Sequence, residues 1–360
     1  MHKEGLAIIE HDSAFFNPSA RFSRDLSVAI ARRSNSRYVL DPTAATGIRG
    51  IRYELEADAE KIVMLEINSS AYKELVANMQ RNGVKKGIAM NKSIQEFANT
   101  TKEKFDIIDL DPFGSPAFYI YDLLKVSKNG TLIMATATDT AVLCGAHPSA
   151  CIRIYDSMPI HTNICHEVGV RILMGFIARN SAEFNYGIVP KLAFSYRHYM
   201  RIILELRHGA KMVKEMLSNT GYLYQCRSCD YIGSSRGHVP DMSFCPVCGN
   251  KLSIGGKLWI GRLYDKEFIK GIGEELNSIE GSSEAIKLLD NIYNEIDTPG
   301  YFSIPLLTKH MHIGAVSPFK VIDCLKEKGF AASPTHFEKS SIKTDASIEE
   351  IKDCISKLKR

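Results

Sequence analysis

Between residues 37 and 140, unbroken apolar runs alternate with segments in which apolar positions recur every three or four residues. The runs "RYVLD" (37–41), "KIVMLE" (61–66), "FDIIDLD" (105–111) and "TLIMATATD" (131–139) predict strands buried on both faces, and the intervening periodicity predicts helices. One helix is expected to begin at Asn68 or Ser69, to present Tyr72, Leu75, Val76 and Met79 on one face and to stop at Gly83. Strands alternating with helices build a parallel α/β sheet. Near the other end, Ser317-Pro318 opens a second predicted helix that offers Val321, Ile322 and Leu325 before Gly329.

Open α/β sheets bind ligands beyond the carboxyl ends of their strands, so strand ends are where candidate chemistry is sought. Asp41 ends the first strand, and Thr43, Ala44, Ala45 and Gly47 follow, residues small enough for the backbone to approach a ligand. Glu66 ends the second strand, twenty-five residues on, a position from which a carboxylate can accept hydrogen bonds from ribose hydroxyls. The first turn is not G-x-G-x-x-G, which argues against a diphosphate-containing dinucleotide. S-adenosylmethionine, with a ribose and an adenine but no phosphate, suits these strand ends better.

The central strand closes on "DLDPFGSP" (109–116). Proline ends the hydrogen-bond ladder and glycine permits an unusual turn, so Asp111, Pro112 and Phe113 are held in one shape. An exocyclic amine on a nucleobase is a poor nucleophile because its lone pair is delocalised into the ring. A carboxylate from Asp111 and the Pro112 carbonyl, each accepting one of its N–H groups, favour the pyramidal form and turn the lone pair toward a methyl donor. Phe113 can stack on the base. An Asp-Pro turn carrying a core phenylalanine is the simpler reading if the motif stood alone; Asp109, by contrast, is expected to face away from the site.

Length and composition, 360 residues of which 45% are hydrophobic, suit two or three domains. No apolar run approaches the roughly 20 residues of a membrane span, and charge within the first residues argues against a secretory leader; a cytoplasmic protein with no obligate protein partner is expected. Nine cysteines in such a setting argue against a disulfide framework. Cys226-x-x-Cys229 and Cys245-x-x-Cys248, fifteen residues apart, have the spacing of a four-thiolate zinc ribbon, and a closed sulfur shell makes its zinc structural. Cys144, Cys151, Cys165, Cys324 and Cys354 lack such spacing and are expected as packed thiols. A second metal site with His147, His161 or His166 is not expected.

Net charge is only +4, but residues 196–214 concentrate basic side chains, with Glu205 as their only acid. Arg197, Arg201, Arg207 and Lys211 are candidates for phosphate contact; a solvated strand or helix face is the alternative.

Collinear motifs then give a specific likeness. "FFNPSARFSRD", "ATGIRGIR", "DLDPFGSP", "TATDTAVLCG" with "CIRIYDS", "CHEVGVRIL", "YGIVPKLAFSYRHYMRI", "GGKLWIGRLYD" and "THFEKSSIKTDA" make the chain resemble the tRNA guanine-26 N2-dimethyltransferase family of archaea and eukaryotes through most of its length. The resemblance implies transfer of one or two methyl groups from S-adenosylmethionine to a guanosine N2 in tRNA. It implies that Arg24 and Arg49 contact the methionine part of the cofactor, that Glu66 holds the ribose, and that Phe15 sandwiches the guanine opposite Phe113. Relatives usually place an acid and a small residue where this chain has Ser93-Ile94; Ser93 can still bond the adenine amine, but a carboxylate contact is lost.

The fold expected is a class I methyltransferase domain over residues 1–210, with a mainly parallel doubly wound sheet. A zinc ribbon over 221–255 and a C-terminal α+β domain over 256–360 follow. The resemblance implies that this last domain helps grip tRNA, and the basic end "SKLKR" suits that. Rival readings are an N2-guanine methyltransferase for another tRNA or rRNA site, an adenine-N6 methyltransferase of DNA, and a non-catalytic zinc-ribbon RNA-binding protein.

Overall fold

The computed structural model describes residues 1–358; Lys359 and Arg360, the last two of the basic end, lie outside the described residues. A hairpin of β1 (His2–Glu4) and β2 (Ala7–Ile9) comes first. An alternating run follows: α1 (Arg21–Arg33), β3 (Tyr38–Asp41), α2 (Ile48–Ala57), β4 (Lys61–Leu65), α3 (Ser69–Arg81), β5 (Gly87–Met90), α4 (Ile94–Thr100), β6 (Phe105–Leu110), α5 (Ala117–Lys125) and β7 (Ser127–Ala137). Helices α6 (Thr140–Leu143), α7 (Pro148–Tyr155) and α8 (Cys165–Glu183) lead into the hairpin of β8 (Tyr186–Tyr196) and β9 (Tyr199–His208).

These strands form one sheet in the order β5-β4-β3-β6-β7-β9-β8. The first five are parallel, and β9 lies antiparallel between β7 and β8. This is the doubly wound class I methyltransferase sheet. The chain winds outward from β3 to β5, then returns to β6 beside β3, so the topological switch falls between those two strands and opens a crevice at their carboxyl ends. Both faces are covered, which is why Val39, Leu40, Ile62, Val63, Ile107 and Ile108 are fully buried. The cap expected on α3 is Asn68, whose side chain accepts from the Ser70 and Ala71 amides, and Gly83 after the helix has φ +63°.

Helix α9 (Ala210–Leu217) links the large sheet to a three-stranded antiparallel sheet of β10 (Thr220–Gln225), β11 (Ile232–Arg236) and β12 (Ser253–Trp259). The unit expected to begin at 256 does not coincide with one separate core. Helices α10 (Lys266–Leu276) and α11 (Ser283–Asn294) bury Ile269, Ile272, Leu289 and Ile292 in the same core as the large sheet, packed on α1. The reason is amphipathic: their apolar stripes match a face of α1 that the sheet alone leaves open.

A second core begins at Phe302. It comprises β13 (Phe302–Ser303), α12 (Ile304–His310), α13 (Pro318–Glu327), β14 (Ala332–Pro334), β15 (Ser341–Thr344) and α14 (Ile348–Leu358). Val321, Ile322 and Leu325 face inward on α13 as the periodicity predicts. Cys324 and Cys354 are a correction: they form a disulfide, because α13 and α14 lie side by side and bring their Cα atoms to 5.9 Å. A pairing across thirty residues leaves no local spacing to read. The second core is tied by buried ion pairs of Lys343 to Glu167 of α8 (3.1 Å) and to Glu295 at the end of α11 (3.2 Å). Among the described residues no helix is long and apolar enough to cross a membrane.

Candidate active site

Three loops meet at the switch point. In the first, Ala45 adopts φ +46° and Gly47 φ +79°; a Cβ on Gly47 would lie 2.2 Å from Leu75 Cδ1, so glycine is required there. The Ala45 amide donates to Glu66 Oε2 (3.0 Å), and the Asn68 amide donates to Glu66 Oε1 (2.7 Å). Each carboxylate oxygen thus holds one backbone donor and keeps acceptor capacity for two hydroxyls. Asp41 lies beneath this loop, fully buried, with Oδ2 unpartnered; burial pushes its carboxyl up to about 7. Ser93 caps α4 by accepting from the Glu96 amide (3.1 Å), and Ile94 is buried beside it.

The second loop is the turn after β6. Its shape is fixed from three sides. The Asp111 amide donates to Thr43 Oγ1 (3.2 Å); the Gly114 amide donates to Thr138 Oγ1 (2.8 Å), while the Thr138 amide donates to the Gly114 carbonyl (2.9 Å). The Ser115 hydroxyl donates to Tyr155 Oη (2.6 Å), which donates to Asp139 (2.9 Å to Oδ2). Pro112 is buried, whereas the Phe113 ring is 72% exposed. Thr138, Asp139 and Tyr155 were not singled out from the sequence; the signal available was the polar "TATDT" ending an apolar strand.

Phe15 arrives from the third side, on the N-terminal segment. Asn78 of α3 and Asn82, which caps its C-terminus, grip the backbone of Glu10 and Ile8 through paired amide bonds of 2.7–2.9 Å, and Glu74 accepts from the Asp12 and Ser13 amides. The chain so fastened brings Phe15 onto Phe113, ring centroids 4.4 Å apart.

Behind the turn is a buried ionic chain. Arg49 pairs through Nη2 with Asp111 Oδ2 and through Nη1 with Asp109 Oδ2 (3.0 Å). Asp109, expected to face away, lies on the same side, since residues two apart on a strand share a face. Burial would raise its carboxyl, but Arg201 and Arg49 more than offset that and hold it below the ordinary range. Arg201 corrects a second expectation. It is fully buried, donating to Asp109 Oδ1 (2.9 Å), Ser27 Oγ (2.7 Å) and Thr136 Oγ1 (2.7 Å), so it cannot touch a phosphate. Arg24 is likewise buried, with its fork on Glu4 (Nε to Oε1 2.7 Å, Nη2 to Oε2 2.6 Å).

Comparison with known proteins decides the family. The model of N2,N2-dimethylguanosine tRNA methyltransferases matches residues 1–356. A tRNA (guanine(26)-N(2))-dimethyltransferase of Methanobrevibacter smithii is 33% identical over 96% of this chain and 91% of its own. One of Pyrococcus abyssi is 35% identical over 96% and 93%. The structure of Trm1 from Pyrococcus horikoshii with S-adenosyl-L-methionine matches with a TM-score of 0.91 at 32% identity, covering 98% of each chain. The chain belongs to the N2,N2-dimethylguanosine tRNA methyltransferase family.

In this dimethylguanosine methyltransferase family member the four ribbon cysteines converge. Cys226 and Cys248 sulfurs are 3.5 Å apart, as are those of Cys229 and Cys245, and all four lie within 4.8 Å of one another. A tetrahedral zinc with sulfurs at 2.3 Å sets them about 3.8 Å apart, so the donor set fits. The two knuckles are built alike: the amides of Asp230 (φ +64°) and Gly249 (φ +71°) donate to the Cys226 and Cys245 carbonyls at 3.0 and 2.9 Å. Cys144, Cys165 and His166 also come within 4.8 Å of one another. They supply three donors, two of them consecutive in the first turn of α8, and no fourth Cys, His, Asp or Glu joins them among the described residues.

Of the basic candidates, Arg197 stands at the β8–β9 turn, half-exposed and paired with Glu284 (2.9 Å). Arg207 is half-exposed beside Glu205, and Lys211 is exposed on α9.

Proposed function

We propose that the chain is an S-adenosylmethionine-dependent tRNA methyltransferase that places one or two methyl groups on the N2 amine of guanosine 26. The observation that carries this is the presentation of the Asp111 carboxylate, the Pro112 carbonyl and the Phe113 ring on one braced turn, facing Phe15 and adjoining the Glu66 loop. The strand ends suit the cofactor: Glu66 has acceptor capacity for two ribose hydroxyls, Ser93 and the first turn of α4 border the adenine position, and the buried, unpartnered Asp41 Oδ2 awaits a donor. Bound there, S-adenosylmethionine supplies an electrophilic methyl sulfonium.

The residues of the chain do the rest. Phe113 and Phe15 stack on the base and exclude water from its edge. Asp111 accepts one amine N–H through the oxygen that Arg49 leaves free, and the Pro112 carbonyl accepts the other. Together they localise the amine lone pair, and Asp111 is the acceptor poised to take the proton that methylation makes acidic. A second methylation uses the same arrangement with one N–H replaced by a methyl group.

The Cys226, Cys229, Cys245 and Cys248 shell holds a structural zinc, and Arg197, Arg207 and Lys211 contribute to the tRNA-binding face. Incubation with labelled S-adenosylmethionine and unmodified tRNA, followed by nucleoside mass spectrometry and site mapping, tests the reading. Label at guanosine 26 N2 is expected; label only at another tRNA guanosine or in rRNA, or none, overturns it.

A further inference from the structure

Asp109 and Arg201 are wholly buried ionised side chains that touch neither the crevice nor solvent. Both Asp109 oxygens are taken: Oδ1 accepts from Arg201 Nη2 (2.9 Å), and Oδ2 accepts from Arg49 Nη1 (3.0 Å) and the Tyr53 hydroxyl (2.6 Å). No acceptor capacity aimed at a substrate is left, so Asp109 is not a second acid for the reaction. Ser27 Oγ accepts from both guanidinium groups (2.8 Å from Arg49, 2.7 Å from Arg201) and donates to the Ser23 carbonyl (2.9 Å). Thr136 on β7 fixes the far side of Arg201 at 2.7 Å.

The charges alternate along the line Arg201, Asp109, Arg49, Asp111. Two guanidinium groups buried this close would repel each other without the carboxylate between them, and a buried unpaired charge costs several kcal/mol. Asp109 therefore determines where Arg49 can rest. Arg49 in turn reaches Asp111 by Nη2 and takes Oδ2, which leaves Oδ1 as the oxygen directed to the crevice. Asp111 itself is only partly buried, its side chain 28% exposed, and lies just beyond the last residue of β6, so the strand ladder does not fix its carboxylate.

We propose that Asp109 and Arg201 are positioning residues for methyl transfer, acting on Asp111 through Arg49. This rests on the reading that Asp111 receives the amine. It reassigns Arg201 from phosphate contact, and it gives Arg49 the work of orienting the carboxylate. Preorganised acceptors lose rate steeply when displaced, by about a hundredfold for an ångström.

The test measures single-turnover methylation at saturating tRNA and cofactor, with both dissociation constants, for the parent, Asp109→Asn, Arg201→Lys and each combined with Asp111→Ala. Asp109→Asn preserves shape and places an amide between the guanidinium groups. Arg201→Lys keeps the charge but cannot reach Ser27, Thr136 and Asp109 at once, and it serves if Asp109→Asn fails to fold. Each single variant is expected to be about tenfold to a hundredfold slower, with both dissociation constants within about threefold of the parent. On the Asp111→Ala background either change is expected to slow the residual rate by less than about twofold, because residues acting as one unit are not additive. Parent-like rates, losses explained by weaker cofactor binding, or effects that multiply with Asp111→Ala overturn the assignment. A parent that leaves guanosine 26 unmethylated overturns the proposed function instead.

Discussion

The rings of Phe15 and Phe113 meet edge to face, their centroids 4.4 Å apart and their planes inclined at 70°. A base stacked between two rings needs about 7 Å between them, twice the optimal contact distance of aromatic carbons. On the proposed sandwich, the pair therefore has to part to admit guanine. Both rings are free to do so: Phe15 is 56% and Phe113 72% exposed, while their backbones are fastened to α3 and to Thr138.

Phe113→Ala and Phe15→Ala are each expected to slow methylation by about tenfold or more, since stacking is worth roughly 1–3 kcal/mol per base. Cofactor affinity should stay at the parent value, and Phe113→Tyr should retain most of the rate. Parent-like methylation by both alanine variants would remove the sandwich from the mechanism.

Asp41 gives a pH signature. Its folded value is raised to about 7 by burial, so its favourable contribution is complete below the unfolded value near 4 and is lost as pH rises through about 7. Asp41→Asn abolishes that loss. In the cofactor-free protein the variant's advantage over the parent should therefore already be present near pH 5 and widen by a few degrees of Tm toward pH 8, as roughly 1–2 kcal/mol gives in a chain of this size. Thermal scans across that range check it; a difference that is flat with pH would show that the carboxyl does not titrate there.

The ribbon makes a stoichiometric prediction. Freshly purified, reduced protein should carry about one zinc per chain, and Cys226→Ser should lower that content and destabilise residues 220–259, while the crevice residues stay in place. Metal analysis with hydrogen exchange over the ribbon reads both. Protein free of zinc yet protected over β10 to β12 would mean that the strands fold on their own.

The parallel sheet and the turn at Asp111 were legible because both are local: apolar runs of strand length, then a proline and a glycine where a ladder must stop. The place of β9 was not. Residues 196–214 read as a basic face, yet β9 is inserted between β7 and β8 and covered on both sides, which turns Arg201 inward to Asp109. Asp109 itself was the available clue, for a carboxylate inside an apolar strand needs a buried cation, and its spacing of two from Asp111 sets both on one face. The grip of Asn78 and Asn82 on the N-terminal segment joins residues about seventy apart, and no periodicity announces it.

With Arg201 removed from the phosphate-binding set, Arg197, Arg207 and Lys211 remain. Each alanine substitution is expected to weaken tRNA binding modestly and to reduce the slope of log affinity against log salt by roughly one contact or less. Arg197 and Arg207 already pair with Glu284 and Glu205, so their share should be smaller than that of Lys211. A triple variant binding like the parent at every salt concentration would return this face to ordinary solvated charge.

The sharpest contrast lies between the two carboxylates at adjoining strand ends. In the proposed mechanism Asp111 meets the amine as its lone pair turns to the methyl donor, so its interaction is expected to strengthen toward the transition state and to belong to the rate. Glu66 is anchored by the Ala45 and Asn68 amides, and on the same proposal it faces the ribose in ground state and transition state alike, so it is expected to belong to cofactor affinity. Asp111→Ala should reduce single-turnover methylation by about a hundredfold or more, in line with the loss of a preorganised polar partner, with the cofactor dissociation constant near the parent's. Glu66→Ala should raise that constant, with the rate largely recovered at saturating cofactor. Both are measured on one unmodified tRNA, after circular dichroism shows the variants folded. Near-normal methylation by Asp111→Ala would reduce the Asp-Pro-Phe-Gly turn to a backbone device, because Arg49 would then have lost its partner without consequence for the chemistry.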